Sequence, residues 1–214
     1  FRLLNKTKRQ IEIERMRNQI ARDLHDDIGS TLSSINIISE VALKEDKQGG
    51  VLSPYFQRIY DHSGRMMENM ADIVWSIQPG NDSMEKVVAK MKEFCGEILE
   101  PMDIVYSFEN VELLSGMTLD IESRKNFFLI FKEIINNAAK YSEATTLKIL
   151  FSRNHTGWIM DISDNGKGFD PQFARSGNGM INIRKRAEAM NAAINLTTNP
   201  GEGTTIAIEI KGTT

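Results

Sequence analysis

The chain is short of the features that would hold a secreted or membrane-embedded protein together. It has one cysteine, Cys95, in 214 residues, so no internal disulfide framework can form, and the cytoplasm is the natural compartment. No run of about 18 apolar residues occurs, so nothing reads as a membrane-spanning helix, and no signal-peptide pattern is present. There is no excess of positive charge either. Lys and Arg number 26 against 29 Asp and Glu, a net charge of −3, which gives no electrostatic case for nucleic-acid binding. Internal repeats and low-complexity tracts are missing. What remains, 41% hydrophobic and 26% charged residues, is ordinary for a globular protein of one large or two small domains. Cys95 falls within an amphipathic helical pattern and reads as a small buried apolar residue.

One local imbalance stands out. Residues 1–19 carry six basic side chains (Arg2, Lys6, Lys8, Arg9, Arg15, Arg17) against two acidic ones (Glu12, Glu14). The chain starts at Phe1 instead of Met, so it is expected to be part of a longer protein whose upstream segment crosses a membrane, this stretch being the cytoplasmic flank. A solvated helix face is the plainer alternative.

Residues 1–77 have the pattern of two long helices. Ala21, Leu24, Ile28, Thr31, Ile35, Ile38 and Ala42 recur at alternating spacings of three and four, as do Leu52, Phe56, Ile59, Ser63, Met66, Met70, Ile73 and Ile77. This is a heptad seam, broken by the polar turn Glu45-Asp46-Lys47-Gln48-Gly49-Gly50. One helical hairpin has too little core to stand alone, so two are expected to pair as a homodimeric four-helix bundle. Pro79-Gly80-Asn81-Asp82-Ser83 breaks the pattern, giving a linker at 78–83 and a second domain at 84–214. There the expectations are a helix near 84–99 with an Asp82/Glu85 capping box, a strand over 103–108 and a helix over 121–141. Strands near 145–152 and 158–163 join through Asn154-His155-Thr156-Gly157. A Gly-rich stretch at 164–179, a helix near 180–190 and strands near 193–199 and 204–210 complete an α+β layer arrangement.

Three motifs of this second domain carry chemistry. In Glu133-Ile-Ile-Asn-Asn137-Ala-Ala-Lys140-Tyr141, helical spacing puts Glu133, Asn137 and Lys140 or Tyr141 on one polar face. An amide oxygen such as that of Asn137 suits Mg²⁺, and Lys140 can reach phosphate oxygens. A solvated face would read the same. Asp164-Asn165-Gly166-Lys167-Gly168 follows a strand. Its glycines allow close backbone approach, and its carboxylate can accept a hydrogen bond from an exocyclic amine; the string is also a common turn. Gly177-Asn178-Gly179 opens a helix whose free N–H groups favour an anion, although a capping loop looks alike.

The order and spacing of these motifs resemble the nucleotide-binding domain of the GHKL superfamily (gyrase-type ATPases, Hsp90-type chaperones, MutL-type repair proteins and histidine kinases) over roughly residues 84–210. The resemblance implies a Bergerat-type α+β sandwich that binds ATP with Mg²⁺. It makes Asn137 the Mg²⁺ ligand of the N box, with Glu133 its acidic partner, and Asp164, Gly166 and Gly168 the adenine-reading box. Gly177 and Gly179 form the second glycine box, residues 169–178 the lid, and Thr204 a support for adenine recognition. Lys140 and Tyr141 complete the nucleotide contacts, Tyr141 standing where relatives often have histidine.

Residues 14–38, containing Asp23-Leu24-His25-Asp26-Asp27, resemble the dimerisation and phosphotransfer helix of the sensor histidine kinases that include the nitrate sensors. His25 follows the seam residue Leu24, so it lies on the flank of the bundle, and neutral imidazole is a competent nucleophile. The resemblance makes Asp26 the residue that orients the ring and accepts its proton, and implies ATP-dependent autophosphorylation on His25, then transfer to a response-regulator aspartate. Gly29, one turn on, would leave clearance for the nucleotide domain, and Arg22 would steady the phosphoryl charge. Ser30 stands where many relatives place a water-positioning glutamine, so weak phosphatase activity toward the regulator is expected. His62, His155, Trp75 and Trp158 read as residues without catalytic roles. Two other readings stay open: a GHKL ATPase driving clamp closure, and a catalytically silent ATP-binding dimeric scaffold.

Overall fold

The computed structural model describes residues 81–170 and 178–211, together with scattered helical positions between 11 and 76. The chain divides into two compact units, Phe1–Gln78 and Pro79–Thr214. In the first, the described seam residues Thr31, Ile35, Ile38, Ile59, Ser63 and Met66 are half-buried and Ile73 is buried. Ile37 and Val74, off the seam, are 62% and 50% exposed. The heptad stripe is therefore the covered face of these helices. Among the described residues no helix is long and apolar enough to cross a membrane.

The second unit is a five-stranded sheet with helices packed on one face. Helix α1 (Met84–Leu99) is followed by β1 (Val105–Glu109), α2 (Ile121–Asn137), β2 (Thr146–Arg153), β3 (Gly157–Asp164), α3 (Asn178–Ala189), β4 (Ala192–Thr198) and β5 (Thr204–Lys211). Spatial order is β1-β2-β3-β5-β4. β1 and β2 run parallel, and the other neighbours are antiparallel. Strict alternation explains the one-sided layer. Leu147, Ile149 and Phe151 of β2, Trp158, Met160 and Ile162 of β3, and Ile206, Ile208 and Ile210 of β5 are all buried, while the residues between them face outward.

The core lies between this face and α1 and α2. Phe127 meets Trp158 edge-on at 5.3 Å, Phe151 lies 6.3 Å from the same indole, and Phe94 packs on Phe128 at 6.4 Å. Each fully buried aromatic contributes about 1.5–3 kcal/mol, so Trp158 acts in packing. The α1 face differs slightly from expectation: Phe94 and Leu99 join Met84, Val87, Val88, Met91 and Cys95, while Ile98 is only half-buried. Burial pushes the Cys95 thiol up to about 12, so it is an inert apolar filler.

Two local expectations need correction. The Asp82/Glu85 capping box does not form. Ser83 is the N-cap and makes no side-chain cap bond, and Glu85 instead accepts a hydrogen bond from the Gly116 N–H at 2.8 Å. The reason is tertiary. Ser83 bridges Thr118, Met84 N–H donates to the Met117 carbonyl and Leu119 N–H to the Asp82 carbonyl, so the start of α1 is held by 116–119. The second correction concerns α2, which is capped by Asp120 through Ser123 N–H at 3.0 Å. It ends at Asn137 and continues as a π-helical turn, Ala138–Ser142.

Candidate nucleotide-binding site

β3 ends on Asp164, directly opposite Thr204, the first residue of β5. The Asp164 carboxylate accepts hydrogen bonds from the Gly166 N–H at 2.9 Å and from the backbone N–H of Thr204. Burial nevertheless raises its pKa above the ordinary aspartate range, and the two backbone donors offset this only in part. The result is a half-buried carboxylate at a strand end, oriented by fixed donors and able to take a further N–H.

The glycines around it are needed for close packing, though against the protein's own backbone. A side chain on Gly166 would run into the Ser142 carbonyl oxygen. At Gly168, where φ is 56°, it would run into the Asn199 carbonyl oxygen. Thr198, buried at 4% exposure, ties these segments together. Its hydroxyl accepts from Phe169 N–H at 3.1 Å, donates to the Gly203 carbonyl at 3.0 Å and lies 3.2 Å from the Thr204 hydroxyl. Sequence reasoning missed Thr198, because a threonine at the end of a strand carries no signal of its own.

On α2, Glu133 and Asn137 share a face one turn apart, and α3 begins against it. A side chain on Gly179 would strike Oε1 of Glu133 and lie 3.4 Å from Nδ2 of Asn137. The first polar motif and Gly179 thus meet in space, with the N-terminus of α3 beside a carboxylate and an amide. Hard oxygen donors of this kind fit Mg²⁺, which takes one or two protein ligands and completes its shell with water and phosphate.

The structure alters the expectation for Lys140 and Tyr141. Their place on one face with Glu133 assumed an unbroken α-helical period, and the π turn after Asn137 replaces that period with a wider one. Both side chains are exposed, Tyr141 at 66%. Ser142 closes the turn by donating to the Ala138 carbonyl at 2.6 Å. Its own carbonyl accepts from Lys167 N–H at 2.7 Å. His25, Asp26, Arg22, Gly29, Ser30, Gly177 and lid residues 171–176 lie outside the described residues. His155 sits exposed in the β2–β3 turn and His62 is half-buried in a helix of the first unit.

Comparison with known proteins fits this geometry. A family described as histidine kinase-, DNA gyrase B- and HSP90-like ATPase matches residues 122–214, which contain Glu133, Asn137, Asp164, Gly179 and Thr204. A second family, described as histidine kinase, matches residues 16–82, which contain His25. The chain is 27% identical over 202 residues to the sensor histidine kinase DesK of Bacillus subtilis, covering 90% of this chain and 50% of DesK. It is 23% identical over 201 residues to the oxygen sensor histidine kinase NreB of Staphylococcus carnosus, covering 92% of this chain and 56% of NreB. The chain therefore spans about half the length of these relatives. Among solved structures, the Acinetobacter baumannii histidine kinase AdeS has the same fold, with a TM-score of 0.59 at 18% identity over 87% of this chain and 97% of that one.

Proposed function

The chain belongs to the histidine kinase family, and on that premise we propose that it binds ATP with Mg²⁺ in its second unit, transfers the γ-phosphoryl group to His25 and passes it to an aspartate of a response regulator. The observation that carries this reading is the tandem of family matches. A GHKL ATPase accounts for residues 122–214 alone; a histidine kinase also accounts for 16–82. The silent-scaffold reading shares the nucleotide site built on Asp164, Glu133 and Asn137, so phosphate on His25 is what separates it from a kinase.

In the proposed mechanism Asp164, oriented by Gly166 and Thr204, accepts a hydrogen bond from the adenine amino group. Asn137 would hold Mg²⁺, which would neutralise charge on the phosphates, with Glu133 beside it as the acidic catalytic partner. Gly179, in the first turn of α3, would present its backbone N–H to the phosphates, Gly177 is assigned the same role, Lys140 would add a charge there and Tyr141 would offer a ring for stacking. A ring nitrogen of His25 attacks the γ-phosphorus as the bond to the bridging oxygen of ADP breaks, and Asp26 takes the imidazole proton. Positioning supplies most of the rate. The helical unit pairs with a second copy through its apolar stripe, and a segment upstream of Phe1 anchors the protein at a bacterial inner membrane with this portion in the cytoplasm. Ser30 makes regulator dephosphorylation weak.

Incubation with γ-labelled ATP tests the reading. We expect acid-labile, base-stable phosphate on His25, lost in H25Q while ATP binding persists. Label that survives in H25Q would refute it.

A further inference from the structure

The loop between β3 and α3 is fastened to the sheet by a residue that the proposed chemistry does not use. Oδ1 of Asn165 accepts the backbone N–H groups of Thr145 and Thr146, both at 2.9 Å. Its Nδ2 donates to the Thr145 hydroxyl at 2.9 Å. Both lone pairs of the amide oxygen are thereby engaged. Thr146 is the first residue of β2, so the side chain works as an extra strand partner where that strand begins.

The neighbours of Asn165 give this clamp its consequence. On one side is Asp164. On the other is Gly166, whose N–H orients the Asp164 carboxylate and whose α-carbon has no spare room against Ser142. The next residue, Lys167, bonds the Ser142 carbonyl through its N–H. Its ammonium pairs with Glu143 at 2.7 Å, but both side chains are exposed, where such a pair adds little. The turn 164–167 is thus held by Asn165 at the start of β2, by the Lys167 N–H at the end of the π turn that follows Asn137, and by the Lys167 carbonyl, which accepts from the Gly201 N–H at 2.6 Å.

Resting on the ATP-binding reading above, we propose that Asn165 is a positioning residue for adenine recognition: it holds the Asp164–Gly166 turn in its binding geometry before nucleotide arrives. Fixing a recognition loop in advance removes an ordering cost from binding. The clamp bonds are solvent-exposed and lie outside the core, so their loss falls on the ligand more than on the fold.

The test compares the whole 214-residue chain with N165A and N165D, using ATP with MgCl₂ in calorimetry, thermal melting without nucleotide, and autophosphorylation kinetics. N165A should weaken ATP binding roughly 10-fold, raising KM while kcat at saturation stays near the parent value, and the nucleotide-free melting temperature should move little. N165D keeps an acceptor for both amides, and the Thr145 hydroxyl can turn to donate, so binding should return to within about 3-fold of the parent. If N165A binds ATP as tightly as the parent, or N165D binds no better than N165A, the proposal is wrong. It is equally wrong if both variants lose melting temperature and affinity in proportion, which marks a merely structural residue. A parent chain that fails to bind ATP overturns the reading of the preceding section and takes this proposal with it; a parent that binds while N165A is unaffected overturns this proposal alone.

Discussion

Gly168 illustrates how one residue can be recognised in the sequence for an incomplete reason. Its place in Asp-x-Gly-x-Gly was legible, and the expected purpose was close approach to a ligand. The structure puts it at φ 56° with its α-carbon against the Asn199 and Gly203 carbonyls, so part of the requirement is internal. Alanine there faces a disfavoured backbone and a collision with main-chain atoms that cannot swing aside. G168A should cost more than about 2 kcal/mol in urea denaturation, with ATP binding lost alongside. An unchanged midpoint would contradict the packing argument. Asp164 invites a test by pH. Its raised pKa means that the folded protein takes up this proton at higher pH than a free aspartate, near 3.9. The stability linked to that proton is fully present below the unfolded value and is lost as pH rises through the folded one. Protonation also removes an acceptor, so ATP affinity should fall as pH drops through the same midpoint. Carboxyl NMR should place that midpoint above about 3.9, and one at or below it would remove the argument.

Secondary-structure elements were read well wherever a periodic pattern ended in a turn residue. The β2–β3 hairpin was expected at 145–152 and 158–163 and is found at 146–153 and 157–164, because Asn154 dictates the turn. Its Oδ1 accepts from the N–H groups of Thr156 at 3.0 Å and Gly157 at 2.7 Å, and its amide donates to Glu209 on β5 at 2.6 Å. N154A should therefore destabilise the second unit by about 1 kcal/mol, seen as an earlier denaturation midpoint with the slope unchanged; no shift would mean that the strands alone set the turn. Asn191, at φ 53°, ends α3 as its type suggests. The π turn was not legible. Ala138-Ala139-Lys140-Tyr141-Ser142 contains no helix breaker, and what widens the turn is tertiary: the Ser142 carbonyl meeting Lys167 N–H, a partner 25 residues further along the chain. The Asp82/Glu85 capping box failed for the same reason, since segment 116–119 claims both the helix start and the Glu85 carboxylate.

At the scale of the whole chain, the proposed chemistry is divided between two units, and the division can be tested apart from any single side chain. Residues 79–214 have their own core, in which Phe127, Phe151 and Trp158 interlock. Every described residue proposed to bind ATP lies within it. A fragment of Pro79–Thr214 should therefore unfold cooperatively and bind ATP with the affinity of the full chain. The proposed phosphoacceptor, His25, belongs to the other unit, so on this reading transfer depends on the tether. Covalent linkage typically supplies an effective concentration near millimolar. Supplied free at micromolar concentration to a full-length D164N chain, which keeps His25 but has lost its own adenine contact, the fragment should label His25 on the order of 10²–10³-fold more slowly than the intact parent does. The rate should rise linearly with fragment concentration. A fragment that binds ATP yet labels D164N as fast as the parent labels itself would mean that the units associate tightly without their linker. A fragment that fails to fold would mean that residues 1–78 complete its core, and the two-unit account of catalysis would then have to be abandoned.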